Sequence, residues 1–288
     1  MLRSLFAGIS GLRVNQVALD VTGNNIANAN TVGFKSSATT FSDTLSQMLT
    51  ASSAPDPANG RGGANPIQVG LGVQVAAIST NFNQGSNQTT GKVTDMMIQG
   101  DGMFVVQKGS QTVYTRAGAF SLDQSGTLVA PGGGLVQGVV VDPATGDPTT
   151  TPPTVQNQIT IPSADPLDPT NLLKTYEIAG DGKVTVTYED NTKAVVGRIA
   201  IANFTNPAGL EKIGGTSFRV TANSGAADID VPGAGSRGDL VTGSVEMSNV
   251  DLASEFTNLI IAQRGFQASS RVITTSDQVL EDLVNIKR

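Results

Sequence analysis

The sequence contains no cysteine, no histidine and no tryptophan. Without cysteine there is no disulfide framework, no thiolate metal site and no cysteine nucleophile. The missing histidine removes the commonest general base, the usual zinc and copper ligands, and the Ser-His-Asp and Cys-His forms of nucleophilic catalysis. Charge is scarce as well. Only 15% of residues are Asp, Glu, Lys or Arg, so the surface relies on Ser, Thr, Asn and Gln. The net charge of -6 comes with no basic patch, which speaks against nucleic acid or an anionic membrane as the main partner. No stretch approaches the roughly eighteen apolar residues of a membrane span, so no membrane insertion is expected. The opening MLRSLFAGISGL is broken by Asn15, Gln16 and Asp20 and lacks a cleavage site, so it does not read as a signal peptide.

What is present is a pattern at both ends. Leu252, Leu259, Phe266, Ile273 and Leu280 recur every seven residues, with Phe256 and Val284 on the same flank, as an apolar seam on a long α-helix is written. From Asp251 to Ile286 such a helix would be about 54 Å long and could not bury its seam alone. At the other end Leu5, Leu12, Leu19 and Ile26 are also seven apart, flanked by Leu2, Ile9 and Val21, so a second helix offers itself as partner. The run from Gly23 to Thr31, rich in Asn, ends it.

Between the ends, the 33 Gly and 13 Pro concentrate and short alternating runs replace helical spacing. Phe41, Leu45, Met48 and Leu49 are spaced for a short helix, Ser52 to Pro66 reads as a flexible loop with an Asn59-Gly60 turn signal, and Val69 to Phe82 as one strand. Strands are expected at Met96 to Gln107, Thr112 to Arg116, Ala119 to Leu122, Leu135 to Val141, Thr175 to Ile178, Lys183 to Tyr188, Val195 to Phe204 and Phe218 to Thr221. A Pro-rich connection, Asp142 to Pro169, divides them. The fold class is α+β: a coiled-coil-like stem of paired N- and C-terminal helices, an inserted all-β domain, and a partly extended linker and β-ribbon region. The expected divisions are a stem of residues 1–30 and 250–288, a connecting region of 31–91 and 239–249, and a β-domain of 92–238 without a further large outer domain.

Several chemical readings fall away. Gly132-Gly133-Gly134 lacks the Lys-Ser or Lys-Thr that a phosphate cradle needs, and Arg237-Gly238-Asp239 is a tripeptide that recurs by chance. Carboxylate catalysis by two of Asp101, Asp181, Glu189 and Asp190 would lack aromatic platforms for sugars, since only three Tyr are present. No catalytic residue, cofactor or metal is expected, and the chain is not expected to be an enzyme. A secreted adhesin on a coiled-coil stem is the remaining rival, and it would be a discrete oligomer. A long seam with few charges instead suits repeated lateral packing into a filament or tube.

Gly8-Ile9-Ser10-Gly11-Leu12, Leu19 to Asn28 with Gly23, Asn24, Asn25 and Asn28, and Thr31-Val32-Gly33-Phe34-Lys35 together resemble the N-terminal signature of the bacterial flagellar rod and hook proteins. Gly243 to Leu252, Gln263 to Gln267 and Thr275-Ser276-Asp277 resemble the other end of the same family. Asn83-Gln84-Gly85 and Thr94 to Gly102 look most like its hook branch, with the distal rod as the near alternative. The resemblance implies a subunit of a helical tube, the hook that joins rod to filament and transmits torque. Its partners would be other copies of itself, the rod, the hook cap and the hook-filament junction proteins. Export would use the flagellar type III apparatus without a cleaved signal peptide, and the location would be the flagellar basal body and hook, outside the cell. Polymerisation would rest on Leu5, Ile9, Leu12, Leu19, Ile26, Leu252, Phe256, Leu259, Phe266, Ile273 and Leu280.

Overall fold

The computed structural model describes residues 2–55, 62–142, 147–148, 155–165 and 170–286. The Asn59-Gly60 turn signal and much of the Pro-rich connection lie outside them. The chain is α+β, with a helix at each end and a large sheet domain between, and it divides into two compact units. One unit joins residues 1–27, 37–80 and 251–288; the other joins 28–36 and 81–250.

The first unit is built on α1 (Leu2–Ala27) and α2 (Leu252–Ile286). Asp251 starts α2 by accepting the Ala253 amide on its carboxylate at 3.0 Å, and Glu255 places a negative charge in the first turn, where the helix dipole favours it. Among the described residues, four strands complete the unit: β1 (Ser37–Asp43), β2 (Ser46–Thr50), β3 (Ile67–Gly70) and β4 (Val73–Thr80). β1 pairs antiparallel with β4 and β2 with β3. The helix expected from Phe41 to Leu49 is therefore two strands. Its apolar spacing is outweighed by available pairing partners, with Phe41 opposite Val75 and Met48 opposite Gln68. The single strand expected from Val69 to Phe82 is likewise two, because Gly72 at φ 133° turns the chain and brings its α-carbon against Ser10 of α1, leaving no room for a side chain.

The second unit carries the core. Its largest sheet follows the antiparallel path Leu173–Ile178, Lys183–Tyr188, Lys193–Ile199, Gly134–Val139, Met103–Lys108, Gln111–Thr115, Ser217–Arg219, Glu211–Gly214. Along the central strand, Phe104 and Val106 enter one buried cluster while Met103 and Val105 enter another, as a period of two demands of a strand covered on both faces. The apolar run expected from Met96 to Gln107 is divided by Gly100 and Gly102, both at positive φ, into Met96–Gln99 and Met103–Lys108. Val195 to Phe204 is divided at Ala200, since Ile201–Asn203 leaves its neighbour's partner to pair with Asp228–Asp230 and with the central strand. Ser244–Glu246 pairs with Asn87–Thr89, and all three of its residues are buried.

Candidate assembly surface

The two terminal helices run antiparallel in contact, and residue n of α1 stands level with residue 280 − n of α2. Ser4 meets Ser276 hydroxyl to hydroxyl at 3.3 Å, and Asn25 donates to the Glu255 carboxylate at 3.0 Å. Between these ends the backbones approach closely. A β-carbon added at Gly11 would stand 2.9 Å from the Ser269 hydroxyl, and one at Gly265 would stand 2.5 Å from the Asn15 amide oxygen. The row of α2 that faces α1 is Glu255, Ala262, Ser269 and Ser276, seven apart, of which Ala262 and Ser276 are buried. Small residues mark the closest approaches of the pair, and Ile273 of the apolar seam lies beside them, 3.2 Å from a β-carbon added at Gly8.

The seam expected from the sequence stands beside this row. Leu259, Phe266, Ile273 and Leu280 are half-buried, as are Leu5, Ile9, Leu12, Leu19 and Ile26, while Leu252 is 43% and Phe256 52% exposed. The same seven-residue spacing of Ala and Ser was the available signal for the contact row, and small residues are easily passed over. Among the described residues of this unit only Val14 and Ala262 are buried hydrophobic residues. Of the twenty-three large hydrophobic residues exposed among the described residues, eighteen belong to it. Phe6, Ile260, Ile261, Val272, Val279 and Leu283 are among them. So concentrated an apolar surface marks an interaction site.

The signature residues resolve into two structural tasks. Asn25, 1% exposed, donates to the Ser37 carbonyl at 2.8 Å and accepts the Ser37 amide at 3.0 Å, so one side chain starts β1 and also holds Glu255 of α2. Gly23 would tolerate a β-carbon, with nothing within 4 Å, and Asn24 is exposed. Asn28 accepts the Thr31 hydroxyl at 3.1 Å in the turn that follows. Gly33, at φ 69°, donates its amide to the Glu246 carbonyl at 2.8 Å and lies against the Ala117 backbone. Phe34 is buried under the Lys212 ammonium, 4.2 Å from its ring centre.

Lys35 is fully buried. Its ammonium donates to Glu246 at 2.7 Å and to the Asn83 carbonyl at 2.7 Å. Glu246, also at 0% exposure, accepts the Gly85 amide at 2.8 Å and the Arg116 guanidinium at 3.4 Å. Arg116 donates further to the carbonyls of Ile98 and Gly100. Burial pushes the Lys35 ammonium below its ordinary pKa and the Glu246 carboxylate opposes that shift; the same two causes act on Arg116. This network pins the segment leaving α1 to the centre of the second unit. Glu246 falls inside a run that carries the family resemblance, yet neither it nor Arg116 has a role legible in the sequence, because nothing local announces a partner more than a hundred residues away.

The rival chemical motifs are spent on structure. Arg237 is held inside by Asp228 at 2.7 Å and Asp230 at 3.7 Å, with its side chain 6% exposed, so it is not offered to a receptor. Gly132 and Gly133 take positive φ in a turn before Gly134–Val139. Asp181 pairs with Lys183 and Arg198, and Asp190 organises its own turn through Thr192. No group of three acidic residues among the described residues could hold a metal.

Terminal helices that pair in a unit with eighteen exposed large hydrophobic residues among those described fit the class of structural subunits that assemble. Three family models match it in chain order: the flagella basal body rod protein over residues 5–35, the flagellar hook protein FlgE/F/G D1 domain over 97–186, and the flagellar basal body rod FlgEFG protein C-terminal over 241–286. The flagellar basal-body rod protein FlgG of Bacillus subtilis is 44% identical over 289 residues, covering 100% of both chains. That of Caulobacter vibrioides is 36% identical over 282 residues, 97% of each. The flagellar hook protein FlgE of Borreliella burgdorferi is 29% identical over 443 residues, again covering 100% of both. The chain belongs to the flagellar rod and hook protein family. It is a structural protein of the flagellum, not an enzyme.

Proposed function

We propose that the chain polymerises into the helical tube of the flagellar hook and rod, with its terminal-helix unit making the contacts between copies. The observation that carries this reading is the concentration of uncovered apolar side chains on the helix-and-ribbon unit, since copies of the same unit are the partner that can cover it. Leu252, Phe256 and the outward flank of the seam would be buried between copies. In this reading the rod, the hook cap and the hook-filament junction proteins adjoin the tube, and the chain leaves the cell through the flagellar type III apparatus without a cleaved signal.

Two positions along the tube are supported by different observations. The runs Asn83-Gln84-Gly85 and Thr94 to Gly102 support the hook, the flexible joint that transmits torque. The 44% identity to a rod protein aligned over 289 residues, against 443 for the hook relative, supports the distal rod and suits a chain without a large added outer domain. Electron micrographs of the purified, concentrated protein test both. Hollow tubes support polymerisation, curved ones the hook and straight ones the rod; a discrete oligomer overturns the reading.

A further inference from the structure

With no cysteine in the chain, the side chain most open to mild oxidation is methionine, of which there are six. Met96, Met97 and Met103 are buried in the second unit and Met247 is half-buried. Met48 is 56% exposed, and no other methionine among the described residues is exposed. Oxidation follows access, so it converges on one sulfur atom.

The setting gives that atom a consequence. Met48 lies on β2, opposite Gln68 of β3, and every residue of those two strands is exposed. The register shifts between Met48 and Thr50, which leaves Leu49 out of the pairing. Leu49, Ile67 and Val69 stand exposed with Met48, and Leu45 and Leu71 at the ends of the ribbon are exposed as well. β2 and β3 form a two-stranded sheet of their own, and a ribbon that buries nothing is marginally stable in water until a surface is laid over it. On the polymer reading above that surface belongs to a second copy, because the ribbon is part of the same unit whose apolar groups copies would cover.

A thioether suits such a contact, being unbranched, polarisable and adaptable to an irregular apolar partner. It is also the point at which the contact can be switched off. The sulfur lone pair attacks one oxygen of hydrogen peroxide, an S–O bond forms as the O–O bond breaks, and the hydroxide released takes the proton of the transferred hydroxyl and leaves as water. Sulfur gives up two electrons and the peroxide is reduced by the same two. The sulfoxide carries a strongly accepting oxygen where the ribbon was apolar, and covering it without a donor is costly.

We propose, building on the polymer reading, that Met48 is a modification site: hydrogen peroxide oxidises it in the free subunit, the sulfoxide form is excluded from the tube, and a second copy shields the sulfur once the subunit is incorporated. Methionine sulfoxide reductases would return the excluded subunit to a competent form.

Peroxide treatment of the free chain, followed by mass analysis of its peptides, should place one oxygen on Met48 about tenfold faster than on Met96, Met97, Met103 or Met247. In assembled tubes the oxidation of Met48 should slow by about tenfold. Oxidised chain should need about fivefold more protein to assemble than untreated chain, and reduction of the sulfoxide should reverse this. Met48→Leu keeps the apolar volume and has no sulfur there, so it should assemble as the native chain does and stay insensitive to peroxide. Met48→Gln should assemble as poorly as the oxidised chain. Met48→Leu retains every other methionine, so loss of its assembly on oxidation would overturn the assignment to Met48. Native tubes in which Met48 oxidises as fast as in the free chain, or oxidised chain that assembles at the untreated concentration, would overturn the role of Met48 and leave the polymer reading standing. An untreated native chain that forms no tube overturns both.

Discussion

Glu246 is where three buried charges meet. Its carboxylate is the shared partner of Lys35 and Arg116, all three buried, so Glu246→Gln leaves two cations facing each other without an anion. A loss of about 3–5 kcal/mol is expected in denaturant unfolding of the second unit, as for other buried pairs deprived of one partner. Asn25→Ala acts in the first unit. It removes both bonds to Ser37 and the tie to Glu255, and is expected to cost about 1–3 kcal/mol, read as faster amide exchange at the C-terminal end of α1 and in β1. That these residues mattered was legible in the signature they spell; what they do was not. A hydrogen bond from Asn25 to residue 37 and another to residue 255 leave no periodic trace, whereas burial of Leu19 or Leu259 does.

At the scale of elements the two helices were legible from end to end, because a seven-residue apolar spacing can be satisfied on no other backbone. Their contact surface was not. The close approach at Gly11 and Gly265 follows from the absence of side chains, and is tested by Gly265→Leu. Its first added carbon already crowds Asn15, so helix pairing should weaken by about 1–3 kcal/mol, measured by thermal loss of helical circular dichroism. Gly23→Ala is the control in the opposite direction: nothing stands within 4 Å, and α1 should gain about 1 kcal/mol from helix propensity. Residues 41–49 show the converse failure of spacing. Their apolar pattern fits a helix, but β4 and β3 supply pairing partners, and the strand forms.

For the whole molecule, the distribution of burial separates folding from assembly. The second unit holds both buried clusters, so deletion of Asp251–Arg288 should leave a cooperatively melting β-domain that no longer forms tubes. Phe256→Asp should likewise abolish polymerisation at an unchanged melting temperature of that domain, because the side chain is half exposed in the single chain and only a neighbouring copy would bury the charge. The sequence by itself determined the terminal helices, the strand-rich middle, the exclusion of thiol and imidazole chemistry and the family, since each rests on residue type or on spacing along the chain. Only the tertiary structure decided that the helix pair approaches most closely at Gly11 and Gly265, that Lys35, Arg116 and Glu246 form one buried network, and that none of Arg3, Arg13, Arg264 and Arg271 pairs with a carboxylate among the described residues. Those depend on which distant residues meet, and a hydrogen bond or an ion pair between positions two hundred residues apart has no period for a sequence to display.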